Sequence, residues 1–347
     1  METSADDVRS LRARKQYLQA PAEPEYLREV VGALGINAQR PSSMLLSLRA
    51  RVHGLELNHV EEAIAKRMLV RTWAMRGTIH LLDGEDVRWM LALLGPIFLA
   101  AGKRRRGELG LSEEVAERGL RLIREALKGK EPLTRWEIMD ILEERGFSLD
   151  RTSQAPIHFI RYAVLKGLVC LGPYRSNGEP TYVLLDDWLR EKDRRPKEPL
   201  RELIRRYLKG YGPASPNDFA GWSGIPVTRA KEAWDYGCAD EPVHQATAPG
   251  IVRLLPAFDS YILGYRDRDL VVPKGRQKDV YHGGQTAATV VMDGQVAGIW
   301  RYERRGKRMA IDVSPFKPFT RGMKSRAAEE AGDIGRFLGF PVDFEIE

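Results

Sequence analysis

Cysteine is scarce in this chain: among 347 residues only Cys170 and Cys238 occur, far apart. Two such residues make neither a disulfide framework nor a CxxC metal site, so a reducing compartment is the natural setting. Uncharged apolar runs are missing too. The opening stretch METSADDVRSLRARKQYL is charged from the start and contains no apolar h-region, and nowhere does an uncharged run approach the length of a membrane span. The expectation is a soluble, cytoplasmic protein with no membrane contact. The six histidines (His53, His59, His80, His158, His244, His282) show no pairing at metal-ligand spacing, so no metal is expected. There is no P-loop, dinucleotide fingerprint or GxSxG elbow, which leaves ATPase, dehydrogenase and serine-hydrolase readings without a basis and no cofactor to expect.

The length exceeds that of a usual single core, so two to four domains are expected, and a hydrophobic content of 43% supports globular packing. Lys and Arg total 55 against 48 Asp and Glu, a net charge of +7. That excess suits a polyanionic partner.

The densest structural signal is in residues 56–82, where ELNHVEEAIAKRM runs without a linker into LVRTWAMRGTIHLL. Leu57, Val60, Ile64 and Met68 recur at three and four residues and define one face of a helix, with Asn58 available as its N-cap. The next segment is rich in β-branched and aromatic residues (Val70, Thr72, Trp73, Thr78, Ile79), with Gly77 free to take positive φ in a turn that displays Arg76. A helix feeding a basic hairpin is the pattern of a winged helix-turn-helix, a form that serves both DNA binding and protein contact.

Similar patterning recurs. A helix over 111–129 capped by Ser112, a capping box at Thr134-Arg135-Trp136-Glu137, a helix over 153–166 and two short strands around Tyr174–Gly178 make a second unit. After the charged connector 190–199, residues 200–237 read as helix-turn-helix. From about 242 the pattern changes to short apolar strands, with turns at Asp293-Gly294 and Arg305-Gly306, then a helix over 323–338 and a strand over 341–347. The fold class expected is α+β: tandem winged helix-turn-helix units over 1–110, 111–190 and 198–241, then a C-terminal antiparallel β-barrel over 242–347.

Several side chains are candidates for contact. His80, on the second strand of the first hairpin, either faces DNA or is buried and hydrogen-bonded. Arg266, Arg268, Lys274 and Arg276 lie in a Gly- and Pro-punctuated loop suited to phosphate contact, diluted by Asp267, Asp269 and Asp279. Asp259, between aromatic residues in PAFDSY, either supports a cationic site or ties down a loop. The run Lys103–Arg106 is either solvated or follows a nucleic-acid backbone.

With these segments placed, the chain resembles the AlkZ-like DNA glycosylases. The resemblance is carried by INAQRPSSMLLSLRARV (36–52), LVRTWAMRGTIHLL (69–82), DFAGWSGIP (218–226), LLPAFDSYILGYRDRD (254–269) and VVMDGQVAGIWRYERRGK (290–307). It implies tandem winged helices with a C-terminal barrel, and a monomeric enzyme that binds double-stranded DNA and hydrolyses the N-glycosidic bond of alkylated purines, with no cofactor. The alternative is a winged-helix DNA-binding protein without catalysis. The family's catalytic motif is a glutamine, an apolar residue and a glutamine or aspartate; here it reads Asn37-Ala38-Gln39, which makes Asn37 and Gln39 the implied catalytic residues. Asn37 carries the same amide as Gln on a stem one methylene shorter. Arg40 and Ser42, in the same matching stretch, and Arg76 are the implied DNA contacts beside them.

Overall fold

The computed structural model describes residues 4–189, 193–234 and 250–347, so Cys238 and His244 lie outside the described residues. The chain forms two compact units. One gathers residues 1–61, 201–222 and 226–347, and the other 62–200 with 223–225.

The second of these is built on two hairpins. Leu69–Trp73 pairs antiparallel with Ile79–Asp83, and Val169–Tyr174 with Pro180–Leu184. The sequence pattern places them in separate units, yet they join edge to edge in one sheet through Arg71 opposite Leu171. All five residues of Leu69–Trp73 are buried, including Arg71. The Arg71 guanidinium is accommodated there by stacking 3.6 Å over the Tyr174 ring and donating to the Gly172 carbonyl. Around the sheet lie helices Val87–Ala101, Glu113–Leu127, Arg135–Glu144 and Ala155–Leu165. Ser112 caps the second by accepting from the Val115 N–H, and Thr134 and Glu137 form the capping box that starts the third.

The turn of the first hairpin is wider than the sequence suggests. Residues 74–78 separate the paired Trp73 and Ile79, and Arg76 (φ 56°) and Gly77 (φ 63°) both take the left-handed conformation. The helix leading into it starts at Leu57, which puts Asn58 inside the first turn. The reciprocal contact at this end runs instead from the Glu56 N–H to His59 Nδ1, at 3.3 Å.

The other unit packs helices Ala5–Lys15, Leu27–Leu34 and Pro41–Arg49 with the C-terminal strands and most of helix Pro199–Tyr211. Tyr207 and Tyr211 stack with centroids 5.0 Å apart, and Phe219, Trp222 and Tyr265 close round them. Each buried phenol reaches a carbonyl: Tyr207 donates to Gly264, Tyr211 to Leu34 and Tyr265 to Tyr211.

The C-terminal strands differ from the antiparallel barrel expected. They lie in the order Val342–Ile346, Arg308–Pro315, Gln295–Arg305, Ala288–Met292, Val252–Leu255, which among the described residues is an open sheet whose first and last strands are edges. The terminal strand runs parallel to Arg308–Pro315. The cause is the 18-residue helix Arg321–Leu338, which carries the chain back along the sheet before the last strand begins. Asp293-Gly294 makes the two-residue turn expected of it, while the next turn is Gly306-Lys307, one residue later than the Arg305-Gly306 read from sequence.

Helix Val87–Ala101 meets the end of Ala155–Leu165 at Gly95, where an added Cβ would lie 2.3 Å from the Leu165 carbonyl oxygen. Backbone cannot give way there as a side chain can. Gly95→Ala is therefore expected to cost about 2 kcal/mol of stability despite the better helix propensity of alanine. Urea unfolding measures it, and an unchanged or raised midpoint would contradict this packing.

Candidate active site

Helix Leu27–Leu34 ends at Gly35, whose positive φ of 59° turns the chain out of the helix. Ile36 and Asn37 are extended, Arg40 occupies the N-cap position of the next helix, and Pro41 begins it. Asn37-Ala38-Gln39 is thus a short bridge between two helices. Ile36 and Ala38 are buried and fix its path, Asn37 is 5% exposed and Gln39 lies in the open.

The two amides touch. Asn37 Oδ1 accepts from the Gln39 N–H at 3.2 Å, a side-chain turn typical of Asn, and Asn37 Nδ2 donates to Gln39 Oε1 at 3.3 Å. The shorter residue is therefore folded onto the backbone and orients the longer one, whose amide is the more accessible. Arg40, next in the chain, donates to Gln285 Oε1 at 2.7 Å and lies 5.0 Å over the Phe258 ring. Phe258 has a φ of 61° and donates its N–H to Thr286 Oγ1. Arg40 thereby ties the bridge to the small hairpin formed by Tyr281–His282 and Gln285–Thr286.

The far end of helix Pro41–Arg49 is held more firmly. Arg51 donates through Nη1 to Asp259 Oδ2 at 2.8 Å and through Nη2 to Asp259 Oδ1 at 2.7 Å, with both side chains wholly buried. Ser47 Oγ accepts from Arg51 at 3.0 Å and donates to Asp259 at 2.7 Å, Gln16 Oε1 accepts from Arg51, and Asp259 also accepts from the Tyr261 N–H. Beside this network Arg49 donates to the Leu254 carbonyl and meets Glu330 at 3.0 Å. A cleft of about 680 Å³ borders Arg49, His53, Arg253, Arg326 and Asp333, at the opposite end of the helix from the amide pair.

The profile described as DNA glycosylase AlkZ-like matches residues 30–337. The chain belongs to the AlkZ-like DNA glycosylase family. It is accordingly a monofunctional glycosylase, a hydrolase of N-glycosyl bonds with DNA as substrate. Among its relatives is the interstrand DNA cross-link repair glycosylase of Streptomyces sahachiroi, 30% identical over 380 aligned residues that cover 98% of both chains. The solved structure of Streptomyces sahachiroi DNA glycosylase AlkZ is similar to it, with a TM-score of 0.80 and 25% identity over 99% of this chain and 100% of that one. The mixed α and β architecture is thus that of an AlkZ-like glycosylase.

In this AlkZ-like chain the other candidates differ in exposure and in partners. Ser42 is exposed in the first turn after the amide pair, whereas Arg76 is half-buried in the hairpin turn. Of the two placements open to His80, the structure has the buried one: it is 1% exposed, with Nδ1 3.0 Å from the Thr78 carbonyl oxygen, and so is not presented to a phosphate. Burial, with Arg76 nearby, holds its pKa down to about 3. The basic loop is neutralised in part. Lys274 pairs with Asp269 and Arg276 with Asp279, Arg268 stacks on Tyr281, and the backbone N–H groups of Arg266 and Asp267 are held by Asp218. Asp259 takes the loop-tying employment, capping the turn Ser260–Leu263, and it also pairs with a buried cation. Sequence reasoning missed that cation, Arg51, along with Ser47 and Arg49. The only trace of them was polar residues in the otherwise apolar stretch MLLSLRARV.

Two outcomes are expected. Asp259→Asn keeps the shape and strands the buried Arg51 charge, which should cost about 3–5 kcal/mol in urea unfolding; a loss under 1 kcal/mol would mean the pair does not hold this helix. His80 stays neutral when folded and protonates near pH 6.5 when unfolded. Its contribution is whole above pH 6.5 and is lost as pH falls toward about 3, with a slope of up to about 1.4 kcal/mol per pH unit. His80→Gln should flatten the stability profile over that window, and an identical slope in the variant would contradict the buried neutral state.

Proposed function

We propose that the chain releases alkylated purines, N7-alkylguanine and N3-alkyladenine, from double-stranded DNA, with bulky adducts and interstrand crosslinks within its range. The carrying observation is the hydrogen-bonded amide pair Asn37 and Gln39, inner member buried and outer member accessible. An amide is neutral at any working pH, so it orients a water through its carbonyl oxygen but does not take up a proton as a strong base does. Hydrolysis by such a pair needs a base that departs easily. An N7- or N3-alkylated purine already carries a positive charge and leaves with little assistance, while a water held beneath C1′ meets the oxocarbenium-like sugar.

Asn37 reaches roughly 1.5 Å less far than a glutamine would, one carbon–carbon bond. Its contacts support a role in orienting Gln39, which leaves Gln39 to hold the water. The cross-link activity in the name of the Streptomyces sahachiroi relative supports the wider substrate range, given 98% coverage of both chains. In this reading the hairpins with their preceding helices, and the helices Pro216–Ser223 and Val227–Ala233, act as winged-helix grips on the duplex. The protein works as a cytoplasmic monomer without a cofactor.

Single-turnover release of an N-alkylpurine is the test. Gln39→Ala is expected to slow release by about a hundredfold or more while duplex affinity stays within a few-fold, because positioning is lost and binding is not. Wild-type release by Gln39→Ala would sink the mechanism.

A further inference from the structure

The hairpin unit gathers several cations, two of which, Arg106 and Arg161, have no carboxylate partner among the described residues. Helix Lys103–Glu108 carries Arg105 and Arg106, and helix Ala155–Leu165 carries His158 and Arg161. The Arg161 guanidinium lies against the turn of the first hairpin, so close that a Cβ on Gly77 would sit 2.5 Å from its Nη2. That turn also bears Arg76. Arg161 is half-buried, its Nε is sealed from solvent with no acceptor, and no carboxylate pairs with it among the described residues.

Arg106 rests 5.0 Å over the Tyr162 ring, whose hydroxyl donates to Glu117. Glu117 is itself taken by Lys166 at 2.6 Å. Arg105 is shared between Glu108 and Gln154, and Glu108 also answers Arg104. Burial and then Arg106 push the Arg161 pKa down, and burial followed by Arg161, Arg105 and Arg106 pushes His158 down. Such mutual repulsion is a liability in a free protein. It becomes an asset when a shared anion arrives, and the planar guanidinium fork matches a phosphodiester.

We propose that Arg161 and Arg106, flanked by Arg105 and His158, form a seat for one backbone phosphate of duplex DNA. The assignment rests on duplex DNA being the substrate, and it concerns grip rather than chemistry. Phosphate contacts position without reading sequence, so the seat serves damaged and undamaged duplex alike.

Arg161→Gln and Arg106→Gln in the full chain test it, with an undamaged duplex titrated from 50 to 200 mM salt. Each variant is expected to bind about 3- to 10-fold more weakly at low salt, with the slope of log K against log salt shallower by about 1. Release of an alkylpurine at saturating DNA should match wild type, and the urea midpoint should hold or rise as repulsion is relieved. In wild type the duplex should raise the pKa of the His158 imidazole observed by NMR. Unchanged affinity and slope in both variants would overturn the proposal, as would weaker binding with an unchanged slope. Inorganic phosphate that shifts His158 at low millimolar concentration, where the duplex does not, would overturn the assignment to DNA. Tight, salt-dependent binding by a wild type that releases no alkylpurine would leave this seat standing and remove the substrate reading instead.

Discussion

The bidentate pair between Arg51 and Asp259 is the constraint on which the geometry of the candidate site depends. Both side chains are wholly buried. Two charges out of water are tolerable only when most of their hydrogen-bonding capacity is filled, and here Ser47, Gln16 and the Tyr261 N–H fill all but the Arg51 Nε, which is sealed without an acceptor. Such a network has one good geometry, so it fixes where the chain leaves helix Pro41–Arg49. With Arg49 clamped to Leu254 and Glu330 as well, the helix is pinned at its C-terminal end and points its N-terminal end, with Arg40 and the amide pair, at one place. Arg40 against Phe258 and Gln285 supplies the second support there. A side-chain amide that acts by placing a water needs both, since a misplacement near 1 Å costs on the order of a hundredfold in rate.

Charge is distributed by the same logic of pairing. The Gly- and Pro-punctuated loop read as a phosphate contact, residues 266–278, pairs Lys274 with Asp269 and Arg276 with Asp279 and stacks Arg268 on Tyr281. The helix Lys103–Glu108, an apparent connector, instead brings Arg106 beside Arg161, and neither has a carboxylate among the described residues. What counts is which cations are left over once the fold has used its carboxylates.

Much of this was legible in the chain. Helices announced by caps, such as those starting after Ser112 and Thr134, and turns announced by Asp293-Gly294 and Gly77 form where local chemistry dictates. The amide motif was found by its likeness to a family, although the contact between its two members is local, only two residues apart. What stayed hidden was non-local. The join of Arg71 to Leu171, the parallel return of the last strand and the partnership of Arg51 with Asp259, 208 residues on, leave no periodic trace. His80 shows the same limit: its strand was evident, but which face the strand buries is set by distant packing.

The chemistry follows from what the amide pair lacks. In the proposed mechanism, with neutral side chains and no proton acceptor of useful basicity in the motif, the burden of bond cleavage falls on the leaving base. The most direct measurement compares single-turnover release from two duplexes of identical sequence, one carrying cationic N7-methylguanine and the other a neutral lesion of like size, 8-oxoguanine. The account predicts free base from the first and none from the second over the same time; equal release from both would contradict it.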